Sequence, residues 1–184
     1  MAAFPLDNAW AVVAYWREAG EKGNWFRKEP AFDRDFRNRF FHLHDAAARR
    51  ELDHWADISD GSLALLILLD QFPRNAFRGT ARMYATDELA RWFARKALRD
   101  SLMQGVPASL QLFFCLPFAH SEQLADQDIS VELNTILGAD ARSHAEGHRD
   151  IIRRFGRFPH RNLILGREST PSEIEFLRKG GFAG

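Results

Sequence analysis

Two stretches of the chain combine proline with arginine and asparagine in the same order. The first reads DQFPRN at residues 70–75, with Arg78 soon after it. The second reads RRFGRFPHRN at residues 153–162. In both, an apolar helical pattern precedes the Phe-Pro pair and a Thr-led helix start follows. An arginine fork donates two parallel N–H bonds to a carboxylate or a phosphate, so the two motifs predict a polar site for an anion.

We predict that both motifs line one groove, together with two histidines and a glutamate that lie between them in the sequence. The candidate ligand-binding residues are Asp70, Gln71, Arg74, Asn75, Arg78, His120, Glu122, His148, Arg154, Arg157, His160, Arg161 and Asn162. The expected ligand is a small anion or the carboxylate end of a peptide or protein partner, held by arginine forks and by N–H groups at helix ends. The protein is then a binding module.

A purely structural role is an alternative for the motifs, and it is the favoured interpretation of Asp70. This residue falls in the last turn of an apolar helix pattern, where the negative end of the helix dipole disfavours a carboxylate. It therefore needs a cation, which Arg74, Arg78 or the arginines at 153–161 can supply. A buried Asp–Arg clamp would lock two helix ends together. Helix capping and pairing with the acidic segment 122–140 explain most of the later arginines.

A hydrolase is the second alternative. Its candidate acid–base residues are His120, Glu122, Asp70 and His148. His144 and His148 stand four residues apart, as helical zinc ligands do, but Ala145 takes the place of the glutamate that follows the first histidine in zinc proteases. The sequence lacks a Walker loop, a dinucleotide fingerprint, a Gly-x-Ser-x-Gly elbow and a Cys-x-x-Cys pair. We predict no catalytic residue, no metal and no cofactor, and favour a binding module over an enzyme.

Composition indicates a single globular domain over residues 1–184. A hydrophobic content of 46% and an aromatic content of 12% are too high for a disordered chain.

Because 25 Lys and Arg balance 25 Asp and Glu, no net charge attracts nucleic acid or a membrane surface, and neither is an expected partner. The single Cys115 and the absence of a signal-peptide pattern predict a cytoplasmic protein. The longest apolar run, 63–69, is too short to span a bilayer.

The elements that carry the motifs are predicted to be helices. Apolar residues recur at helical spacing, as at Phe32, Phe36 and Phe40, and no segment alternates with a period of two. The run 63–69 is apolar all round, which predicts a central helix that ends at Pro73. A second proline, Pro117, is expected to end another helix. We predict an all-α fold of about eight helices arranged as antiparallel helical hairpins.

The two motifs also resemble the hallmark stretches of a mainly bacterial family, catalogued as domain of unknown function nine hundred and twenty-four. The resemblance rests on LLDQFPRN at 68–75, PFAHSE at 117–122, RFGRFPHRN at 154–162 and LGREST at 165–170. These motifs are long and specific, and the likeness covers nearly the whole chain. The resemblance implies an all-helical, tetratricopeptide-like fold, and it implies no established activity.

Overall fold

The structure is a computed structural model that describes residues 4–184. Its helices are α1 (Leu6–Glu21), α2 (Pro30–Ala48), α3 (Ser59–Leu66), α4 (Phe72–Ala76), α5 (Asp87–Arg99), α6 (Ala108–Ala119), α7 (Leu124–Leu137), α8 (Ala139–Phe155) and α9 (Pro171–Arg178). A π-helical turn, Ile67–Gln71, joins α3 to α4, so these two form one continuous helix. Counted in this way, residues 4–184 hold eight α-helices and no strand, which confirms the predicted all-α class and helix number.

The chain divides into two compact units. The first unit comprises Met1–Arg78 and Arg82–Pro117, and the second comprises Gly79–Ala81 and Phe118–Gly184. The first sequence motif lies in the first unit and the second motif lies in the second unit. Each unit is described by itself below. The single domain predicted over residues 1–184 stays a prediction, as does the tetratricopeptide-like arrangement of the hairpins.

The core of the first unit is built around α3 and the π-helical turn. Every residue from Leu63 to Leu69 is fully buried, as expected for a segment that is apolar all round. α3 packs against both α1 and α5. Fully burying a leucine side chain stabilises the folded state by about 1.5–3 kcal/mol. The central helix is therefore the main hydrophobic anchor of this unit.

Aromatic rings from α1 and α2 fill the space beside the central helix. Trp16 is fully buried and packs against Phe36 at a ring distance of 5.3 Å and against Phe113 at 5.4 Å. Trp25, from the loop after α1, packs edge-on against Phe113 at 4.9 Å and donates a hydrogen bond to the Trp16 carbonyl oxygen at 2.6 Å. The loop is therefore closed over the core by an aromatic side chain whose N–H is satisfied.

Neither proline ends its helix, contrary to the sequence prediction. Phe72, directly before Pro73, has helical φ and ψ of −55° and −49°, and its N–H bonds to the Ile67 carbonyl five residues back. Because this π-helical hydrogen bond spans five residues instead of four, the helix can accommodate the proline and continue. Pro117 likewise lies inside α6, which ends at Ala119. Because Pro117 lies in the last turn, it removes one backbone hydrogen bond and leaves the preceding turns intact.

The second unit contains an antiparallel hairpin of α7 and α8. Gly138 alone connects the two helices, with a φ of +127° that a residue with a side chain rarely adopts. Asp128 on α7 pairs with Arg149 and Arg153 on α8, at 3.5 and 3.8 Å. α9 begins at the predicted Thr-led start, where Thr170 and Glu173 form a capping box. None of the helices in residues 4–184 is long and apolar enough to cross a membrane.

Candidate functional site

The first motif forms a buried polar cluster around the π-helical turn. Asp70 is 1% exposed, and its carboxylate accepts a hydrogen bond from Gln71 Nε2 at 2.5 Å and forms an ion pair with Arg74 Nη1 at 3.0 Å. Arg74 Nη1 also donates to the Asp70 carbonyl oxygen at 2.7 Å. The guanidinium thus compensates a carboxylate that the helix dipole disfavours. Of the arginines that the sequence offered as a partner for Asp70, the structure shows Arg74 in this role.

Arg74 also ties the end of this helix to the start of α5. Its two terminal nitrogens donate to the two carboxylate oxygens of Asp87, at 2.9 and 3.1 Å. Asp87 is the first residue of α5, where the positive end of the dipole favours a carboxylate. Arg74 is therefore the centre of a buried clamp between two helix ends, as the structural alternative predicts.

The remaining residues of the first motif connect α4 to α2. Asn75 Nδ2 donates to the Gln71 carbonyl at 2.9 Å, and Asn75 Oδ1 accepts from Arg78 at 3.0 Å. Arg78 also donates two hydrogen bonds to Asp33 on α2, at 2.9 and 3.1 Å. In the first unit, all five candidate residues of this motif have hydrogen-bond or ion-pair partners, and two of them, Arg74 and Arg78, connect this helix to other helices.

Two residues that sequence reasoning missed complete this cluster. The π-helical turn and Pro73 leave backbone carbonyls without their usual helical N–H partners. His44 Nδ1 donates to the Leu68 carbonyl at 2.9 Å, and Thr86 Oγ1 donates to the Leu69 carbonyl at 2.6 Å. The carbonyl can only accept, so His44 carries its proton on Nδ1. Burial lowers the pKa of His44, which favours this neutral form.

The second motif fixes α9 against the end of α8. Arg157 donates to the two carboxylate oxygens of Glu173, at 2.6 and 2.8 Å, and to the Glu168 carbonyl at 2.7 Å. Glu173 also accepts the Thr170 N–H at 2.7 Å within the capping box. The hydrogen bond from Arg157, followed by that from the Thr170 backbone, lowers the pKa of Glu173 to about 2. Arg157 is therefore occupied in fixing α9 against the end of α8.

Glu122 and Asn162 have structural partners of the same kind. The Glu122 carboxylate accepts the Phe158 backbone N–H at 2.9 Å and two hydrogen bonds from Arg167 Nη1 at 2.8 and 2.9 Å. Asn162 donates to Ser169 Oγ at 3.1 Å. Arg167 was not among the predicted site residues, because 45 positions separate it from Glu122 in the sequence. Glu122 is thus a fixed anion that positions the second motif.

Histidine and phenylalanine rings form a separate cluster in the second unit. His148 lies 5.7 Å from Phe158 and 4.7 Å from Phe182, and His160 lies 5.6 and 5.1 Å from the same two rings. The Arg161 guanidinium lies over the Phe158 ring at 4.6 Å, and Arg161 donates to the carbonyl of His120 at 2.9 Å. These five residues and His120 bring together four of the predicted candidates, namely His120, His148, His160 and Arg161.

His148 is the unusual member of this ring cluster. Burial, followed by the nearby charges of His120, Arg161 and His144, lowers the pKa of His148 to about 4. Its Nδ1 is enclosed and has no hydrogen-bond partner among residues 4–184. His144, four residues earlier, instead donates from Nδ1 to the Asp140 carbonyl at 2.8 Å. In the described chain, no three His, Cys, Asp or Glu residues converge as metal ligands.

Arg154 differs from the other motif arginines in its contacts. Its guanidinium lies over the rings of Phe155 at 4.6 Å and Phe176 at 5.7 Å, and no carboxylate in the described residues pairs with it. It lines a cleft of about 380 Å³, which we call the Arg154 cleft. The residues around this cleft are Arg154, Phe155, Arg157, Thr170, Ser172 and Glu173. Arg154 therefore retains N–H donors that a ligand can use.

The predicted acid–base set is not supported by these contacts. Asp70 belongs to the first unit and is held by Gln71 and Arg74. Glu122 is held by Arg167 in the second unit. Both carboxylates are engaged by arginine within their own unit. This geometry favours a structural role for these two residues.

Comparison with known proteins agrees with the fold and gives no activity. A solved structure of a protein of unknown function from Agrobacterium tumefaciens is 54% identical in sequence, with a TM-score of 0.92. The match covers 95% of this chain and 98% of that one. No curated protein matches the sequence. The sequence profile described as "Bacterial protein of unknown function (DUF924)" matches residues 12–181. The chain therefore belongs to this bacterial family of unknown function.

Proposed function

We propose that the protein is a binding module that holds the carboxylate end of a peptide in the Arg154 cleft. The observation that carries this proposal is the guanidinium of Arg154, which contacts two aromatic rings and pairs with no carboxylate among residues 4–184. The other cation of the cleft, Arg157, is neutralised by Glu173. The cleft therefore keeps one uncompensated positive charge, and an anionic group is the complementary ligand.

The contacts of Arg154 also support a planar ligand group. Its guanidinium lies over Phe155 and Phe176, which restricts the orientation of the fork and leaves its N–H edge available. A carboxylate is planar and accepts two parallel N–H bonds from such a fork. Thr170 and Ser172 add hydroxyl groups at the same cleft, with their oxygens 3.0 Å apart. Together these side chains supply the donors that a carboxylate needs.

Most backbone donors at the start of α9 are already used. Pro171 has no N–H, and the N–H groups of Thr170 and Glu173 are bonded within the capping box, which leaves the Ser172 N–H as a backbone donor beside the side chains of the cleft. The sequence predicted that helix-end N–H groups would hold the anion, whereas the proposed binding now rests mainly on side chains. The partly buried ring of Phe155 forms an apolar wall. A peptide that ends in an apolar residue therefore suits the cleft best.

The test compares two small probes that differ only in their terminal group. N-acetyl-leucine carries the carboxylate, and N-acetyl-leucinamide has the same side chain without it. We expect the acid to bind by NMR titration and the amide to bind at least about tenfold more weakly, since charged hydrogen bonds contribute about 1.5–3 kcal/mol. Inorganic phosphate serves as a third probe, and binding of phosphate in preference to the acid would identify a phosphate site.

Two variants complete the experiment. Arg154→Ala should abolish binding of the acid while thermal stability stays close to that of the unmodified protein. Arg153→Ala is the matched control, because Arg153 is the neighbouring exposed arginine and pairs with Asp128 and Asp150 at 3.8 Å. Equal loss in both variants, or binding that persists in Arg154→Ala, would refute the proposal.

For the first motif we propose a structural role. Asp70, Arg74 and Arg78 all bond to other residues of the first unit. A cytoplasmic location and a tetratricopeptide-like arrangement also belong to this proposal. The single, buried and unpaired thiol of Cys115 supports the cytoplasmic location, and the α7–α8 hairpin supports the tetratricopeptide-like arrangement.

A further inference from the structure

The segment after α9 lies on the ring cluster of His148, Phe158 and His160. The Gly181 N–H bonds to the Phe176 carbonyl at 3.0 Å and directs the chain past the Phe176 ring. A Cβ atom at Gly181 would lie 2.5 Å from Phe176 Cζ, so a larger residue here would have to displace the Phe176 ring. Phe182 follows, and its ring contacts His148 edge-on at 4.7 Å and His160 edge-on at 5.1 Å. The segment therefore delivers one aromatic ring to a site lined by two histidines.

The Phe182 ring contacts both histidines but gives His148 Nδ1 no hydrogen bond. His148 Nδ1 is enclosed and has no hydrogen-bond partner in the described part of the chain. A buried polar atom in a native protein is normally hydrogen-bonded, so an orphaned one calls for an explanation. The phenyl ring has no donor that could serve this nitrogen. Phe182 is also 42% exposed, whereas Phe158, on the opposite side of the cluster, is 1% exposed.

We propose that this ring cluster is a binding site for an aromatic ligand group that carries a hydroxyl or N–H donor, and that Phe182 occupies the site in its absence. The ligand ring would take the place of the Phe182 ring between His148 and His160. Its donor would bond to His148 Nδ1, which a phenyl ring leaves without a partner. The low pKa of His148 keeps this imidazole neutral, so that one ring nitrogen can accept.

This site is separate from the Arg154 cleft. The ring cluster consists of His148, Phe158, His160 and Phe182, and none of these residues lines that cleft. The two proposals can therefore fail independently. Loss of carboxylate binding in Arg154→Ala bears only on the cleft, and the experiment below bears only on the ring cluster.

The experiment uses phenol as the probe and anisole as its matched control without a donor. Binding to the full chain is measured by NMR titration for the unmodified protein and for Phe182→Ala. We expect Phe182→Ala to bind phenol at least about tenfold more tightly than the unmodified protein, because the competing ring is gone. Anisole should bind the same variant more weakly than phenol. Phe26→Ala, which removes a 66% exposed ring from the first unit, should leave phenol binding unchanged.

A second variant and a second readout make the result decisive. Replacing His148 by phenylalanine in the Phe182→Ala background should remove the preference for phenol over anisole, because the acceptor is lost. In the unmodified protein, high phenol concentrations should shift the ring resonances of His148 and Phe182 together. This readout does not depend on the folding of any variant. The proposal would be overturned if a folded Phe182→Ala variant bound phenol no more tightly than the unmodified protein, or if the His148 resonances did not shift with phenol.

Discussion

Arg157 donates two hydrogen bonds to the buried carboxylate of Glu173, at 2.6 and 2.8 Å. Arg154, three residues earlier, has no such partner among residues 4–184 and lies against two phenylalanine rings. Two arginines from one motif thus have different roles. One fixes α9 in place, and the other is available to a ligand beside it. This difference separates the structural part of the motif from the part to which we assign binding.

Removing Arg74 should destabilise the protein strongly. Arg74→Ala leaves the buried carboxylates of Asp70 and Asp87 without their cation, and breaking a buried ion pair in this way costs about 3–5 kcal/mol. Urea unfolding measures the change. Arg17→Ala on the exposed face of α1 is the control and should change stability by about 0.5 kcal/mol or less. A loss below about 1 kcal/mol in Arg74→Ala would contradict the clamp.

Replacing His44 by phenylalanine should also destabilise the fold. The new ring keeps the stacking position on Phe72, at 4.8 Å, but it cannot donate to the Leu68 carbonyl. An unsatisfied buried acceptor costs about 1–3 kcal/mol. His42→Phe, at an exposed position of the same helix, serves as the control in the same chemical denaturation series. Equal stability of the two variants would show that the Leu68 carbonyl does not need His44.

The stability of the protein should fall as the solution is acidified below neutral pH, and His148 should account for part of the loss. Its pKa is about 4 in the folded protein against 6.5 in an unfolded chain. Between these values the unfolded chain binds more protons, so stability decreases as pH falls through this window. The shift corresponds to a loss of about 2 kcal/mol between pH 7.5 and pH 5.

Urea unfolding of the unmodified protein and of His148→Phe at pH 7.5 and pH 5 isolates the contribution of His148 to the pH dependence of stability. Since phenylalanine does not titrate, the variant should lose about 2 kcal/mol less stability on acidification. Carboxylates such as Glu173, with a pKa near 2, lose their contribution only at more acidic pH. The same pH dependence in both proteins would mean that His148 is not held neutral by the fold.

Local sequence rules predicted most of the helical framework. The apolar run at 63–69 identified the buried central helix, and the spacing of Phe32, Phe36 and Phe40 identified α2. Both follow from interactions within a few residues of each other. The rule that proline ends a helix failed at Pro73 because it assumes α-helical hydrogen bonding. A π-helical turn, with side-chain donors from His44 and Thr86, allows the helix to continue.

The candidate site was harder to predict, because its polar residues take partners that are distant in the sequence. Arg78 pairs with Asp33, and Glu122 pairs with Arg167, 45 positions away in each case. No local pattern tells which arginine is paired and which is available. The sequence predicts arginines as the residues of an anion site, and Arg154 could be singled out among them only from the contacts of every other motif arginine.

The most direct test of the Arg154 cleft follows the side chain of Arg154 itself. Its Nε–H resonance, assigned by comparison with Arg154→Ala, is recorded in a ¹H–¹⁵N NMR titration with N-acetyl-leucine. We predict that the resonance shifts and saturates with the acid and does not move with N-acetyl-leucinamide. If the Arg154 resonance stays fixed while the acid binds, or if the amide moves it equally, the carboxylate is not held by Arg154.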